Sequence, residues 1–174
     1  CSSDLHLSLI GMDRIGIVHV DDSFGADLLE GAKKGFAAVG KNPVFVEKFN
    51  REKWDFTTIA PLAASSGVQA VLVIGSGTAA ADAVAALRNA GSRAQVVTFS
   101  NNASGGFVKS LKDNARGTIV TQVFPYERSL SAPIVKEAHD MAVAKGLEGV
   151  SPAMLEGYAA AKVLVAGLKR AGPS

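Results

Sequence analysis

Three short polar stretches in this chain each follow an apolar run: Asp21-Asp22-Ser23-Phe24, Ser76-Gly77-Thr78 and Ser100-Asn101. Their chemistry is that of holding rather than transforming. Short hydroxyls, an amide, backbone N–H groups and one aromatic ring can fix a small polar ligand. Helix N-termini beside them favour a carboxylate or another anion. Covalent chemistry asks for more than these residues offer. No G-x-S-x-G nucleophile elbow occurs, and Gly75-Ser76-Gly77 lacks its spacing. His6, His19 and His139 have no acid at a suggestive spacing. His19 lies in an apolar run and reads as packed and hydrogen-bonded, and His139 reads as a helix-surface residue. The single cysteine, Cys1, excludes an intrachain disulfide and a cysteine metal cluster. The expectation is a binding protein, not an enzyme, with no cofactor.

Two sharper chemistries compete with that reading. Gly75-Ser-Gly77-Thr-Ala-Ala80 fits a relaxed G-x-G-x-x-A fingerprint, in which glycines let N–H groups approach a pyrophosphate at a helix start. It follows the third strand rather than the first, and the next strand ends in Thr98-Phe99-Ser100-Asn101, without an acid to hold a ribose. Tight strand-to-helix packing of small residues, or a contact with a small ligand, explains the glycines as well. Asp21-Asp22 has the makings of a metal or phosphoryl-acceptor pair. The third acid such a site needs is missing from the other strand ends, so a helix cap plus a solvated charge is the simpler reading.

These turns need elements to position them. Ile15 to Val20 is apolar and rich in β-branched residues, and a helix is predicted from about Phe24 to Val39, with Asp22 or Ser23 as its cap and Gly40 as its stop. A strand follows at Pro43 to Phe49, with Val44 and Val46 on one face. Asn50 to Asp55 is a polar loop. The next helix starts near Thr58, so that Pro61 falls in its first turn. Ala70 to Ile74 reads as a central strand buried on both faces. Thr78 to Ala90 is a helix, Ala94 to Phe99 a strand, Phe107 to Lys112 a short helix and Gly117 to Phe124 a fifth strand. Helices over Ala132 to Lys145 and from Pro152 to Ala171 close the chain, the last with a stripe of Leu155, Tyr158, Ala161, Val165 and Leu168 and with Gly172-Pro173 as its stop. That stripe must be buried, on the sheet here or on something outside the chain. Leu5, Leu7, Leu9, Ile10 and Met12 look like the end of a helix stopped by Gly11.

The alternation of strands and helices predicts an α/β fold: a three-layer α/β/α sandwich with a five-stranded, mainly parallel sheet in flavodoxin-like strand order. At 174 residues and 48% hydrophobic, the chain has material for a sizeable core. The formal charge is only +2, with Lys and Arg scattered, which argues against nucleic acid or an anionic membrane as partner. No apolar run approaches the ~18 to 20 residues of a membrane span. The Cys-Ser-Ser start is compatible with the lipidated end of a processed bacterial lipoprotein and with an arbitrary boundary, the reading preferred here.

Six stretches together resemble a known family: Val18-His-Val-Asp-Asp-Ser-Phe-Gly25, Glu30-Gly-Ala-Lys-Lys-Gly-Phe36, Asp55-Phe56-Thr57, Val68-Gln-Ala-Val-Leu-Val-Ile-Gly75, Leu87-Arg-Asn-Ala-Gly91 and Leu155-Glu-Gly-Tyr-Ala-Ala-Ala161. The ordered set resembles the type I periplasmic solute-binding proteins of ABC importers, the leucine/isoleucine/valine-binding class. The resemblance implies two α/β lobes that close on a solute about a hinge. Residues 1–126 match the second lobe from its truncated first helix. Residues 127–174 match the returning hinge segment and helices of the first lobe. The chain is then a fragment of a longer receptor, periplasmic and working with ABC permease subunits. Phe24, with Asp22 and Ser23, holds the place of the family's aromatic contact. Ser76, Gly77 and Thr78 hold that of the turn after the third strand. Ser100, beside Asn101, stands where amino-acid-binding members carry an acid for the α-ammonium. That departure weighs against an α-amino acid and leaves an amide or a small carboxylic or aromatic acid in view. Two alternatives remain: the effector-binding domain of a transcriptional regulator of similar fold, and a nucleotide-binding α/β enzyme.

Overall fold

A computed structural model describes Leu7 and residues 10–172. Of the predicted helix end at residues 5 to 12, residues 5, 6, 8 and 9 lie outside the described residues, His6 among them. The chain divides into two compact units. The first comprises residues 1–102 and 106–121, the second residues 103–105 and 122–174.

The first unit is built on a five-stranded parallel sheet. Its strands are β1 (Ile15–Val20), β2 (Phe45–Phe49), β3 (Ala70–Ile74), β4 (Gln95–Thr98) and β5 (Thr118–Val120), in the order β2-β1-β3-β4-β5. The helices are α1 (Ser23–Ala38), α2 (Ile59–Ser65), α3 (Gly77–Asn89) and α4 (Gly105–Leu111), whose first residue alone is grouped with the second unit. Parallel strands need crossovers, and each helix supplies one. Both faces of the sheet are buried, and the sequence alternation decides which side chain goes where. Ile15, Ile17, Ala70, Leu72, Ile74 and Val97 pack with Ala32 and Phe36 of α1. Their neighbours Val18, Val20, Val71, Val73 and Val96 pack on the other face with Ile59, Ala63, Ala80, Val84, Leu87, Phe107 and Leu111. Strand residues point alternately to opposite faces, so near-continuous apolar runs feed two cores at once. Full burial of a side chain such as Leu72 or Phe36 contributes roughly 2–3 kcal/mol. The fold is the three-layer α/β lobe expected.

Element starts follow local chemistry. The Asp22 carboxylate accepts the N–H of Gly25 at 2.9 Å and caps α1. Asp55 accepts the N–H of Thr57 at 2.9 Å, and α2 begins at Ile59, which leaves Pro61 in the first turn. Arg14 donates to the carbonyls of Gly67 and Ser66 at 3.0 and 2.6 Å, which satisfies the C-terminal end of α2. Val44 and Val46 do share a face, and it is exposed, because β2 is the sheet edge. The fifth strand is shorter than predicted. Thr121 still donates to the Thr98 carbonyl at 3.0 Å, but residues 121–126 form no strand, because the chain leaves the sheet there for the second unit.

The second unit holds α5 (Pro133–Ala144) and α6 (Pro152–Ala171), which pack through Val135, Ala138 and Leu155 with Tyr158 beside them. Ser151 caps α6 by accepting the N–H of Met154 at 3.2 Å, with Pro152 at the first helical position. The predicted apolar stripe is covered only at its start: Val165 is 48% and Leu168 62% exposed.

Candidate functional site

Parallel strands put all their C-terminal ends on one rim, and strand order reverses where β1 and β3 lie side by side. Crevices in open α/β sheets form at that switch point. Here Val20 closes β1, Phe49 closes β2, and Ser76 follows β3. Together with Arg51, Trp54, Thr78 and Ala79 they line an open cleft of about 220 Å³.

Arg51 ties its wall together. From the loop after β2, its Nε donates to Asp22 Oδ2 and its Nη1 to Ser76 Oγ at 3.2 Å. Its guanidinium carbon stands 5.8 Å from the Phe24 ring centroid, a cation–π distance. The hydrogen bond from Arg51, and after it the N–H of Gly25, hold the Asp22 carboxyl below its ordinary pKa. Trp54 is oriented by its own bond, Nε1 to Asp82 Oδ2 at 3.0 Å.

The turn after β3 is set by a residue of the next strand's loop. Asn102 is buried, accepts the N–H of Gly77 at 3.0 Å, and donates to Gly75 O at 3.0 Å and Thr98 Oγ1 at 2.8 Å. Asn101 adds a second bond to Gly75 O at 3.0 Å. Gly77 has φ +54°, a conformation glycine adopts without steric cost. With its N–H already taken by Asn102, Gly77 offers no donor to a phosphate, and the Gly75 to Ala80 stretch serves the packed turn.

Of the residues singled out in the sequence, Ser76 and Thr78 line the cleft. Asp22 and Phe24 adjoin it through Arg51. Ser23 is exposed at the first position of α1, and Gly77 is exposed within its turn. Ser100 and Asn101 sit in the short 3-10 turn Ser100–Asn102 after β4, on the same rim but outside the cleft lining. His19 is half-buried, with Nδ1 2.9 Å from Val20 O, packed and hydrogen-bonded as expected. His139 is half-buried rather than on an open helix surface. Arg51, Trp54 and Asn102 were missed. The signal for the first two was their loop's place after a parallel strand, the same rule that singled out the other turns.

The sequence profile described as Periplasmic binding protein matches residues 8–174 of this chain. The chain belongs to the periplasmic binding protein family. Periplasmic binding proteins are solute-binding receptors rather than enzymes. A substrate-binding periplasmic protein from Ralstonia solanacearum is similar at 26% identity and a TM-score of 0.81, over 99% of this chain and 50% of its own. A possible leucine/isoleucine/valine-binding protein from Rhodopirellula baltica shares the fold at 22% identity and a TM-score of 0.81, over 94% of this chain and 46% of its own. A leucine binding protein from Thermotoga maritima shares it at 18% identity and a TM-score of 0.78, over 98% and 49%. The chain thus spans about half the length of these solved structures. No curated protein matches it. No described helix of this periplasmic binding protein chain is long and apolar enough to cross a membrane.

Proposed function

We propose that residues 1–126 are one lobe of the substrate-binding component of an ABC-type importer, that residues 127–174 return toward the other lobe, and that the first unit holds a small polar solute at the C-terminal rim of its sheet. The observation that carries the reading is the cleft between the ends of β1, β2 and β3, lined by two hydroxyls, a guanidinium and an indole in a chain of this family. Asp22, Ser23, Phe24, Ser76, Gly77, Thr78, Ser100 and Asn101 form the polar rim of one jaw. The other jaw belongs to the remainder of a longer protein, for which the relatives' double length leaves room. Hinge closure then sandwiches the solute and presents the closed form to permease subunits from the periplasmic side. No group on the rim performs covalent chemistry on the solute.

Trp54 is the only tryptophan and lines the cleft, so its fluorescence reports occupancy. Titrating amino acids, amides and small carboxylic acids against this chain and against a chain carrying both lobes is the test. A solute that shifts Trp54 emission weakly here and binds far more tightly to the longer chain supports the reading. Equal affinity for both, or no solute that perturbs Trp54, refutes it.

A further inference from the structure

We propose that Arg51 reads the solute's charge, and that the cleft takes a carboxylate carried on an apolar body with no ammonium group. This rests on the cleft being the solute site and narrows what enters it. Arg51 is held through Nε by Asp22, through Nη1 by Ser76 and over one face by Phe24. Its Nη2 makes no hydrogen bond among the described residues, so three of the five N–H donors remain, two on Nη2 and one on Nη1, on a guanidinium that lines the cleft. Nη1 and Nη2 form the outer end of the guanidinium, and a carboxylate is the charged acceptor that suits donors there. The Ser76 and Thr78 hydroxyls stand on the same lining as further donors. The helix α3 begins there too, and its N-terminal end adds positive potential.

Val20, Phe49 and Ala79 close the floor and are themselves buried, so the half-buried indole of Trp54 is the main apolar surface a solute meets. No carboxylate lines the cleft. Of the two acids nearest by bonding, Asp22 is engaged by Arg51 and Gly25, and Asp82 by Trp54. An ammonium group entering here meets a cation and no free acid, and loses its hydration without a partner.

Hydrocinnamate, hydrocinnamide and phenylalanine share one carbon skeleton and differ in the groups at issue. Each is titrated at neutral pH against the chain, following the single indole N–H resonance of Trp54 by NMR. Hydrocinnamate is expected to bind about ten-fold more tightly than either of the others, the difference coming from the charge-assisted pair with Arg51. In Arg51→Met the three converge, and in Arg51→Lys hydrocinnamate keeps only part of its advantage, because the charge stays and the fork is lost. Binding of the amide or of phenylalanine as tight as that of hydrocinnamate overturns the inference and leaves the solute site standing. No binding by any of the three overturns both. The comparison on the unaltered chain does not depend on either variant folding.

Discussion

Asn102, at the end of the β4 turn, holds the turn that follows β3: its Oδ1 accepts the N–H of Gly77 while its amide donates to Gly75 O. One buried side chain therefore determines where Ser76 and Thr78 stand on the cleft. Asn102→Ala removes three hydrogen bonds, leaves Gly75 O to Asn101 alone and takes the donor from the buried Thr98 Oγ1, and is expected to cost about 1–3 kcal/mol. Urea denaturation followed by far-UV circular dichroism measures it, and a loss below 1 kcal/mol, on the order of a single exposed bond, contradicts the role.

Two glycines of α1 should respond in opposite directions to the same change. A Cβ on Gly25 would lie 1.8 Å from the Val20 carbonyl oxygen, which is backbone and cannot swing aside. Gly25→Ala is expected to destabilise by about 2 kcal/mol or more through overpacking. A Cβ on Gly31 meets nothing within 4 Å. Gly31→Ala should stabilise by roughly 0.5–1 kcal/mol, because alanine is the better helix former. Paired chemical denaturation of the two variants gives the sign of each.

Acid should loosen the junction of β1, α1 and the β2 loop. The Asp22 carboxyl titrates below its ordinary value, first because of Arg51 and then because of the Gly25 N–H. A lowered folded value means the stabilisation is present above the unfolded value and is lost as pH falls through the folded one. Asp22→Asn keeps a good N-cap residue but removes the charge. The urea midpoint of the native chain should fall more steeply with acid than that of Asp22→Asn, and the two curves should converge at low pH. Parallel curves throughout would show that Asp22 is not linked to stability.

Among the described residues, the outer length of α6 carries exposed apolar side chains. Leu164 is 64% and Leu168 62% exposed. Leucine and lysine are close in helix propensity. Leu164→Lys together with Leu168→Lys is therefore expected to change stability by no more than about 0.5 kcal/mol. A thermal melt with a markedly lower midpoint would place these side chains in a packed contact instead.

The alternation in Ile15 to Val20 and Ala70 to Ile74 already contained both cores, because a strand's period of two admits no other distribution once helices lie on each face. Asp22 and Ser151 announced their helices because capping is a local interaction within a few residues. The turns after β1, β3 and β4 were legible for the same reason. Arg51 and Trp54 were not, since a charged loop reads as solvated whatever it faces.

What the sequence by itself determined was the kind of layer each segment enters, where the segments start, and which end of the sheet carries the polar turns. Only the tertiary structure decided that β1 lies between β2 and β3, and that order is what brings Arg51 to Asp22 and Ser76. It also decided that Asn102 and Asn101 are joined to the β3 turn, and that the α6 stripe is covered at Leu155 and open at Leu168. The physical reason is the range of the interactions. Caps and periodicity act over a few residues, whereas the cleft is assembled from side chains far apart in the chain that meet only when parallel strands line up their ends.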